Sequence, residues 1–343
     1  MMCYNAHYMI DAFVKKYSLP AFRVRQFNHA FYRELITSYD AFSTWPKEWR
    51  VGLQESVPFS SIEPVKELDS RDQGTSKVLF KRVSDGKLFE SVIMRHDDGR
   101  NTICVSCMIG CPVGCVFCAT GRMKIFRNLT ATEIVDQVLY FARLLKQSEQ
   151  KVTNIVFMGM GEPLLNLEAV MESIRILNDP ERFGIGIRRI TVSTSGITPK
   201  IIELMKMGYK GKLALSLHAS NQALRETIMP IAKRYPLPEV LHAVAAYARR
   251  TQLRVSYEYI LIDGVNDTPA HALELAGLLS PELTHVNLIP YNPIIGVELK
   301  RSPESVIYQF SDILTQHNIP NTFRVTMGDD IKAACGQLAT EES

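Results

Sequence analysis

Between Thr153 and Gly328 the chain alternates short β-branched runs with amphipathic helical stretches, a rhythm that narrows the possible folds more than any other feature of its 343 residues. The runs are TNIVFMGM, RRITVSTSG, KLALSLHA, LRVSYEYIL, THVNLIPYN and TFRVTMG. The helical stretches place apolar residues on one face. Ile134, Val138, Phe141, Ala142 and Leu145 do so after a capping box at Thr130-x-x-Glu133, and Val240, Val244, Tyr247 and Ala248 repeat the pattern. Strands alternating with such helices form a parallel sheet, and about six units predict an α/β fold built as a full or partial barrel. Short polar runs at Gly159 to Pro163, Ser193 to Gly196, Ser216 to His218 and Asn292-Pro293 stand just past the carboxyl ends of apolar strands. In a parallel barrel those ends open on one face, so the runs are expected to converge on one cavity.

Upstream the texture differs. Residues 1–53 carry helical patterns broken by Pro20 and by STWPKEW, and read as a small N-terminal helical domain. Residues 54–103 read as a linker and a β-hairpin extension, with VLFKRV and LFESVIMR joined by the turn signal Ser84-Asp85-Gly86. Residues 104–343 then form the core domain. The first twenty residues carry Asp11, Lys15 and Lys16, so no apolar export signal is expected, and no stretch reaches the roughly 18 apolar residues of a membrane helix. With seven cysteines and no export signal, a reducing cytoplasm is expected rather than a disulfide framework. Net charge is only +3, but basic pairs such as Arg188-Arg189 and Lys300-Arg301 permit nucleic-acid binding.

Five of the seven cysteines fall between Cys104 and Cys118, and thiols so concentrated should bind metal or do chemistry. Two readings compete. Cys104-x2-Cys107 with Cys115-x2-Cys118 would close a tetrahedral zinc site and leave Cys111 without a role. Cys111-x3-Cys115-x2-Cys118 would hold three irons of a [4Fe-4S] cluster and leave the fourth open to a small molecule that offers nitrogen and oxygen, such as S-adenosylmethionine. In the second reading Glu162 accepts from the methionyl amino group, and the glycines beside it let the backbone approach the ligand.

Cys111-x3-Cys115-x2-Cys118, FCATG, RNLT, GMGEPL, RRITVSTSG, LSLHA, NLIPYNP and GDDIKAACGQL together resemble the RlmN/Cfr family of radical-SAM adenine methyltransferases, from about Phe89 to Leu338. The resemblance implies a partial (β/α)6 barrel and methylation of C2 of an adenine in 23S rRNA, and of the adenine beside the anticodon in tRNA. It implies one [4Fe-4S] cluster on Cys111, Cys115 and Cys118, and two S-adenosylmethionine molecules consumed per methyl group. The matching cofactor contacts are Gly161, Glu162, Ser193, Ser216, Leu217, His218 and Asn292. Cys335 matches the methyl-carrying cysteine, Cys104 the cysteine that releases the protein–RNA adduct through a transient disulfide, and Glu90 the proton acceptor. A monomer with an electron donor such as flavodoxin or ferredoxin is expected, and the basic residues Lys15, Lys16, Arg23 and Arg25 of the N-terminal helices, a segment that matches the family only in general character, are expected to position RNA. Methylation at C8 and a non-catalytic, zinc-stabilised RNA-binding protein are the alternatives. Pro163, Ser195 and GDDI favour C2 over C8. Cys107-Met108 stands where the family pattern has a Ser-Gln pair.

Overall fold

The computed structural model describes residues 13–123 and 126–340. Cys3, with the first part of the predicted N-terminal helix, lies outside the described residues, as do two positions of the basic loop GRMKIFRNLT. Helix α1 (Ala21–Asn28) runs into a π-helical turn (His29–Arg33), and α2 (Lys47–Ser56) follows. An aromatic knot joins them. Trp45 is buried between Phe42, at 4.8 Å between ring centroids, and Phe27, at 5.9 Å. Such pairs add stability beyond the area they bury, which suits a segment too small for a large aliphatic core.

The sheet begins at β1 (Ile62–Asp69), β2 (Thr75–Arg82), β3 (Leu88–Arg95) and β4 (Asn101–Cys104), each antiparallel to the one before. β2 and β3 are the two arms of the hairpin expected from the sequence. A short ribbon, β5 (Met108–Ile109) with β6 (Arg127–Asn128), flanks the cysteine loop. Then come α3 (Ala131–Lys146), β7 (Asn154–Phe157), α4 (Leu167–Asn178), β8 (Ile190–Thr194), α5 (Thr198–Lys206), β9 (Lys212–Ser216), α6 (Gln222–Ile228), α7 (Leu237–Thr251), β10 (Val255–Leu261), α8 (Pro269–Leu278), β11 (Thr284–Pro290), α9 (Glu304–Gln316) and β12 (Asn321–Phe323).

All the long strands form one ten-stranded sheet in the order β1-β2-β3-β4-β7-β8-β9-β10-β11-β12, parallel from β4 onward. The two ends of that series are not paired with each other, so the barrel is partial. Cys104 is the hinge of the architecture: it pairs with Val92 of the antiparallel ribbon on one side and with Val156 of the parallel barrel on the other.

Helix α3 shows how the sequence pattern becomes packing. Thr130 and Glu133 form the reciprocal capping box, and Ile134, Val138, Phe141 and Leu145 are fully buried against the sheet. Glu133 also accepts from Arg82 Nε at 2.8 Å, and Asp136 accepts from the amide and hydroxyl of Ser61 at 2.7 and 2.6 Å. These bonds tie the helix to the ribbon. Among the described residues no helix is long and apolar enough to cross a membrane.

Candidate functional site

Cys104 ends β4, and the next fourteen residues wrap over the open end of the barrel, held by polar side chains rising from beneath. Gln137 receives the Ser106 amide at 2.8 Å and donates to the Ser106 carbonyl at 2.9 Å. Asn166 donates to the carbonyls of Cys107 and Leu129 at 2.8 and 2.7 Å. Ser106 Oγ donates to the Glu90 carbonyl and accepts from the Met160 amide. Neither Gln137 nor Asn166 belongs to the sequence-derived site. The available signal was polarity in the wrong place, since Gln137 stands among the apolar stripe residues of its helix and is completely buried, as Glu133 and Asp136 nearly are.

The loop delivers Cys111, Cys115 and Cys118 to a cavity of about 150 Å3 that Gly161, Glu162, Ser193, Ser216 and His218 also line. Three of the four strand-end runs therefore converge here, while the fourth, Asn292-Pro293, lies on neighbouring cavities instead. Glu162 is buried, with its carboxylate accepting from the amides of Ser195 at 2.7 Å and Leu164 at 3.1 Å; burial raises its pKa against those two bonds. His218 sits at φ +58, a conformation uncommon for a non-glycine residue, and its Nδ1 accepts from the Ile260 amide at 3.1 Å. Burial, aided by Arg225, pushes its pKa down to about 3, so the ring is neutral at physiological pH.

Two features fit this cavity to the group the cysteine spacing implies. Ser195 Oγ, on the cavity wall, is buried without a hydrogen-bond partner, and so is Nη1 of Arg225, which stands off the wall with its other nitrogens bonded to the carbonyls of Ser195, Ser216 and Leu217. The donor set is also right: Cys111, Cys115 and Cys118 line one cavity, the three thiolates that would leave one iron of a [4Fe-4S] cluster open, whereas Cys104 and Cys107, which a zinc knuckle would require, do not line it. Burial raises the pKa of all three thiols, Cys111 to about 12, so a metal must displace their protons to bind. Gly161 has a reason other than ligand approach. It adopts φ +103, and a Cβ there would lie 2.5 Å from that of Met108. The glycine lets the GMGEP turn pack against the cysteine loop.

Cys335 lies on a wall common to this cavity and a second one of about 70 Å3, as do Cys118, Met158 and Arg324. Cys104 and Asn292 line the second. The segment bearing Cys335 is stitched to the cysteine loop: the Ala119 amide donates to the Gly336 carbonyl at 2.7 Å and Thr120 Oγ1 to the Leu338 carbonyl at 2.5 Å. A side chain at Gly336, where φ is +86, would press on the Phe117 carbonyl at 3.0 Å. Asn292 donates to the Cys335 carbonyl at 3.1 Å and accepts from Arg301 at 2.8 Å, so it braces the segment from beside the smaller cavity.

Two of the sequence-derived residues stand apart. Leu217 is fully buried and does not line either cavity; its contribution is backbone, with its amide donating to the Glu258 carbonyl. Glu90 faces a wider cleft on the other side of the Cys335 segment, where Lys77 Nζ pairs with it at 2.9 Å and the Ala339 amide donates to it at 3.0 Å.

Arg324 and Glu258 were not singled out from the sequence. Arg324 Nη1 lies 3.7 Å from Glu258 and 3.6 Å from Met158 Sδ, and its pKa is raised chiefly by the neighbouring Cys335, with Glu258 and Cys104 adding. Burial, then Cys335, pushes the Cys104 thiol up to about 12, while Arg324 acts in the opposite sense. A half-buried cation thus lines the smaller cavity together with both thiols.

Residues 105–276 match the radical SAM superfamily. A probable dual-specificity RNA methyltransferase RlmN 2 of Protochlamydia amoebophila is 44% identical over 98% of this chain and 93% of its own length. A probable dual-specificity RNA methyltransferase RlmN of Symbiobacterium thermophilum is 44% identical over 93% of this chain and 85% of its own. The crystal structure of a radical SAM methyltransferase from Sphaerobacter thermophilus superposes with a TM-score of 0.93 at 46% identity, covering 96% of each chain. With its cysteine loop, strand-end cavity and distant Cys335 arranged on this barrel, the chain belongs to the RlmN family of radical SAM RNA methyltransferases.

Proposed function

We propose that this enzyme methylates C2 of an adenine in 23S rRNA and of the adenine beside the anticodon in tRNA, consuming two S-adenosylmethionine molecules per methyl group. The observation that carries the reading is the position of Cys335 on the wall between the cavity ringed by Cys111, Cys115 and Cys118 and the cavity that holds Cys104. A methyl carrier needs one face toward its donor and one toward its acceptor. Cys111, Cys115 and Cys118 would hold the cluster, and Glu162, Gly161, Ser193, Ser216, His218 and the backbone at Leu217 would hold S-adenosylmethionine, with Asn292 bracing the carrier beside it. Bound there, the cluster and cofactor supply the radical that an unreactive aromatic carbon requires.

The chain's own residues divide the remaining work. Cys335 Sγ gives up its proton, accepts a methyl group and presents that carbon to the base. The methyl carbon must lose a hydrogen atom to the radical before it bonds to C2, joining protein and RNA; the remaining electron would pass to the cluster, and Glu90 takes the proton that C2 must lose. Its carboxylate is held by the Ala339 amide, so this step requires the Cys335 segment to release it. Cys104 sulfur then attacks Cys335 sulfur: an S–S bond forms, the S–C bond breaks, and the carbon keeps the electron pair and takes a proton to become the methyl group. A donor such as flavodoxin or ferredoxin would supply the electron for the cluster, a dithiol reductant would return the Cys104–Cys335 disulfide to two thiols by exchange, and residues 1–53, with Lys15, Lys16, Arg23 and Arg25, position the RNA.

Anaerobically reconstituted protein, given reductant, S-adenosylmethionine and either RNA, should yield 2-methyladenosine by mass spectrometry. Formation of 8-methyladenosine instead would overturn the C2 assignment, and absence of any methylated adenosine would overturn the reading.

A further inference from the structure

A cleft of about 740 Å3 lies beyond the Cys335 segment, and its walls of Leu79, Leu88 and Met123 belong to neither the cofactor cavity nor the Cys104 cavity. Three exposed cations line it: Lys66 from β1, Arg122 from the turn after the cysteine loop, and Lys332 from the Cys335 segment. None of the three has an acidic partner among the described residues. The acids of β1 are engaged elsewhere: Glu63 pairs with Lys81 at 2.6 Å, Glu67 accepts from Tyr140 at 3.2 Å and Asp69 accepts from Ser76 at 2.5 Å. The one carboxylate on the cleft wall, Glu90, is offset by Lys77. The cleft therefore carries uncompensated positive charge from three separate elements. At its rim Ile295 is 81% exposed, next to Ile294 and Pro293.

We infer that this cleft is the docking groove for the single-stranded RNA that flanks the target adenine, with Lys66, Arg122 and Lys332 taking phosphates and the Ile294-Ile295 corner taking the face of a base. The inference rests on the function proposed above and names the surface that serves it. Unpaired strands are bound by cations tracking the backbone and apolar contacts meeting the bases; here the exposed Ile295 supplies that contact where an aromatic ring commonly does. A protein partner would need acidic groups at three points on converging walls, whereas a polyanion supplies them at regular intervals along one strand. Lys332 is also informative because it sits at φ +53 in the segment that ends in Cys335, and its carbonyl accepts from Lys77 at 3.1 Å. RNA seated in the groove would touch the carrier segment directly.

The test measures affinity of the whole protein for a fluorescent anticodon stem-loop RNA across a salt series, in Lys66→Gln, Arg122→Gln and Lys332→Gln, with Lys210→Gln as a control on the exposed turn before β9. Each cleft variant should weaken binding about three- to tenfold and reduce the salt slope by about one phosphate contact, and Lys332→Arg should restore it. Lys210→Gln should change neither. Circular dichroism and the thermal midpoint verify that each variant is folded. If the parent binds and methylates the RNA while the cleft variants keep its affinity and slope, the groove is wrong and the proposed function stands. An equal loss in Lys210→Gln also overturns the groove, because the attraction is then diffuse. If the cleft variants lose affinity but the parent methylates no RNA, the groove stands and the proposed function falls. A parent that neither binds nor methylates the RNA overturns both.

Discussion

The amide of Ala339 donates to Glu90 Oε2 at 3.0 Å, four residues beyond the cysteine proposed to carry the methyl group, while Lys77 holds the other oxygen at 2.9 Å. The ribbon strands β2 and β3 thus grip the carrier segment through one carboxylate. Both side chains of the Lys77–Glu90 pair are nearly buried, and removing one partner of such a pair leaves an uncompensated charge, which costs about 3–5 kcal/mol. Lys77→Met should lower stability toward that amount in urea unfolding, and Lys77→Met combined with Glu90→Gln should recover part of it. Equal loss in the single and double variants would show that the pair itself contributes nothing.

Iron binding should separate the cysteines of the loop. Cys111→Ala, Cys115→Ala and Cys118→Ala should each lose the iron-sulfur absorbance and most of the bound iron and sulfide. Cys107→Ser should keep both, because Cys107 is buried with its Sγ directed at the Met160 carbonyl, 3.7 Å away, and does not line the cofactor cavity. Metal loss in Cys107→Ser with retention in Cys111→Ala would return the site to a zinc knuckle.

Cys335 and Cys104 should fail at different points of one cycle. Cys335→Ala should show no methyl group loaded from labelled S-adenosylmethionine and no product. Cys104→Ala should load the methyl group and attack the base, then remain joined to RNA, and digestion should leave nucleotide mass on the peptide containing Cys335. An active Cys335→Ala enzyme would eliminate the carrier role outright.

The release step should depend on pH. The Cys104 thiol is pushed up to about 12, so it is protonated at neutral pH, and its thiolate fraction grows about tenfold per unit of rising pH until that value is approached. Single-turnover release of the adduct should therefore accelerate between pH 7 and 9. Arg324 opposes the elevation of that thiol, so Arg324→Met should slow release at every pH in this range. A flat profile in the parent enzyme would mean that Cys104 is not the attacking group or that another step limits release.

The sequence by itself determined whatever depends on local periodicity and spacing. The helical stripe after Thr130 became a buried, box-capped helix, the β-branched runs became parallel strands, and the polar residues behind them met at one mouth because parallel strands all end on the same side. Cys111, Cys115 and Cys118 reach one cavity since a single loop carries them. Tertiary structure alone decided the long-range relations. Sheet order and register seat Cys104 between Val92 and Val156 and bring Arg324 beside Cys335. Packing turned Leu217 into the core, assigned Gly161 to a contact with Met108, and drew Glu90 to Ala339 on the far side of the carrier segment. Isolated residues such as Gln137, Glu258 and Arg324 carry no periodic signal, and their partners lie on other strands and loops. Their roles exist only once the sheet has curled around them, because a polar group inside a fold is defined by what it faces rather than by its neighbours in the chain.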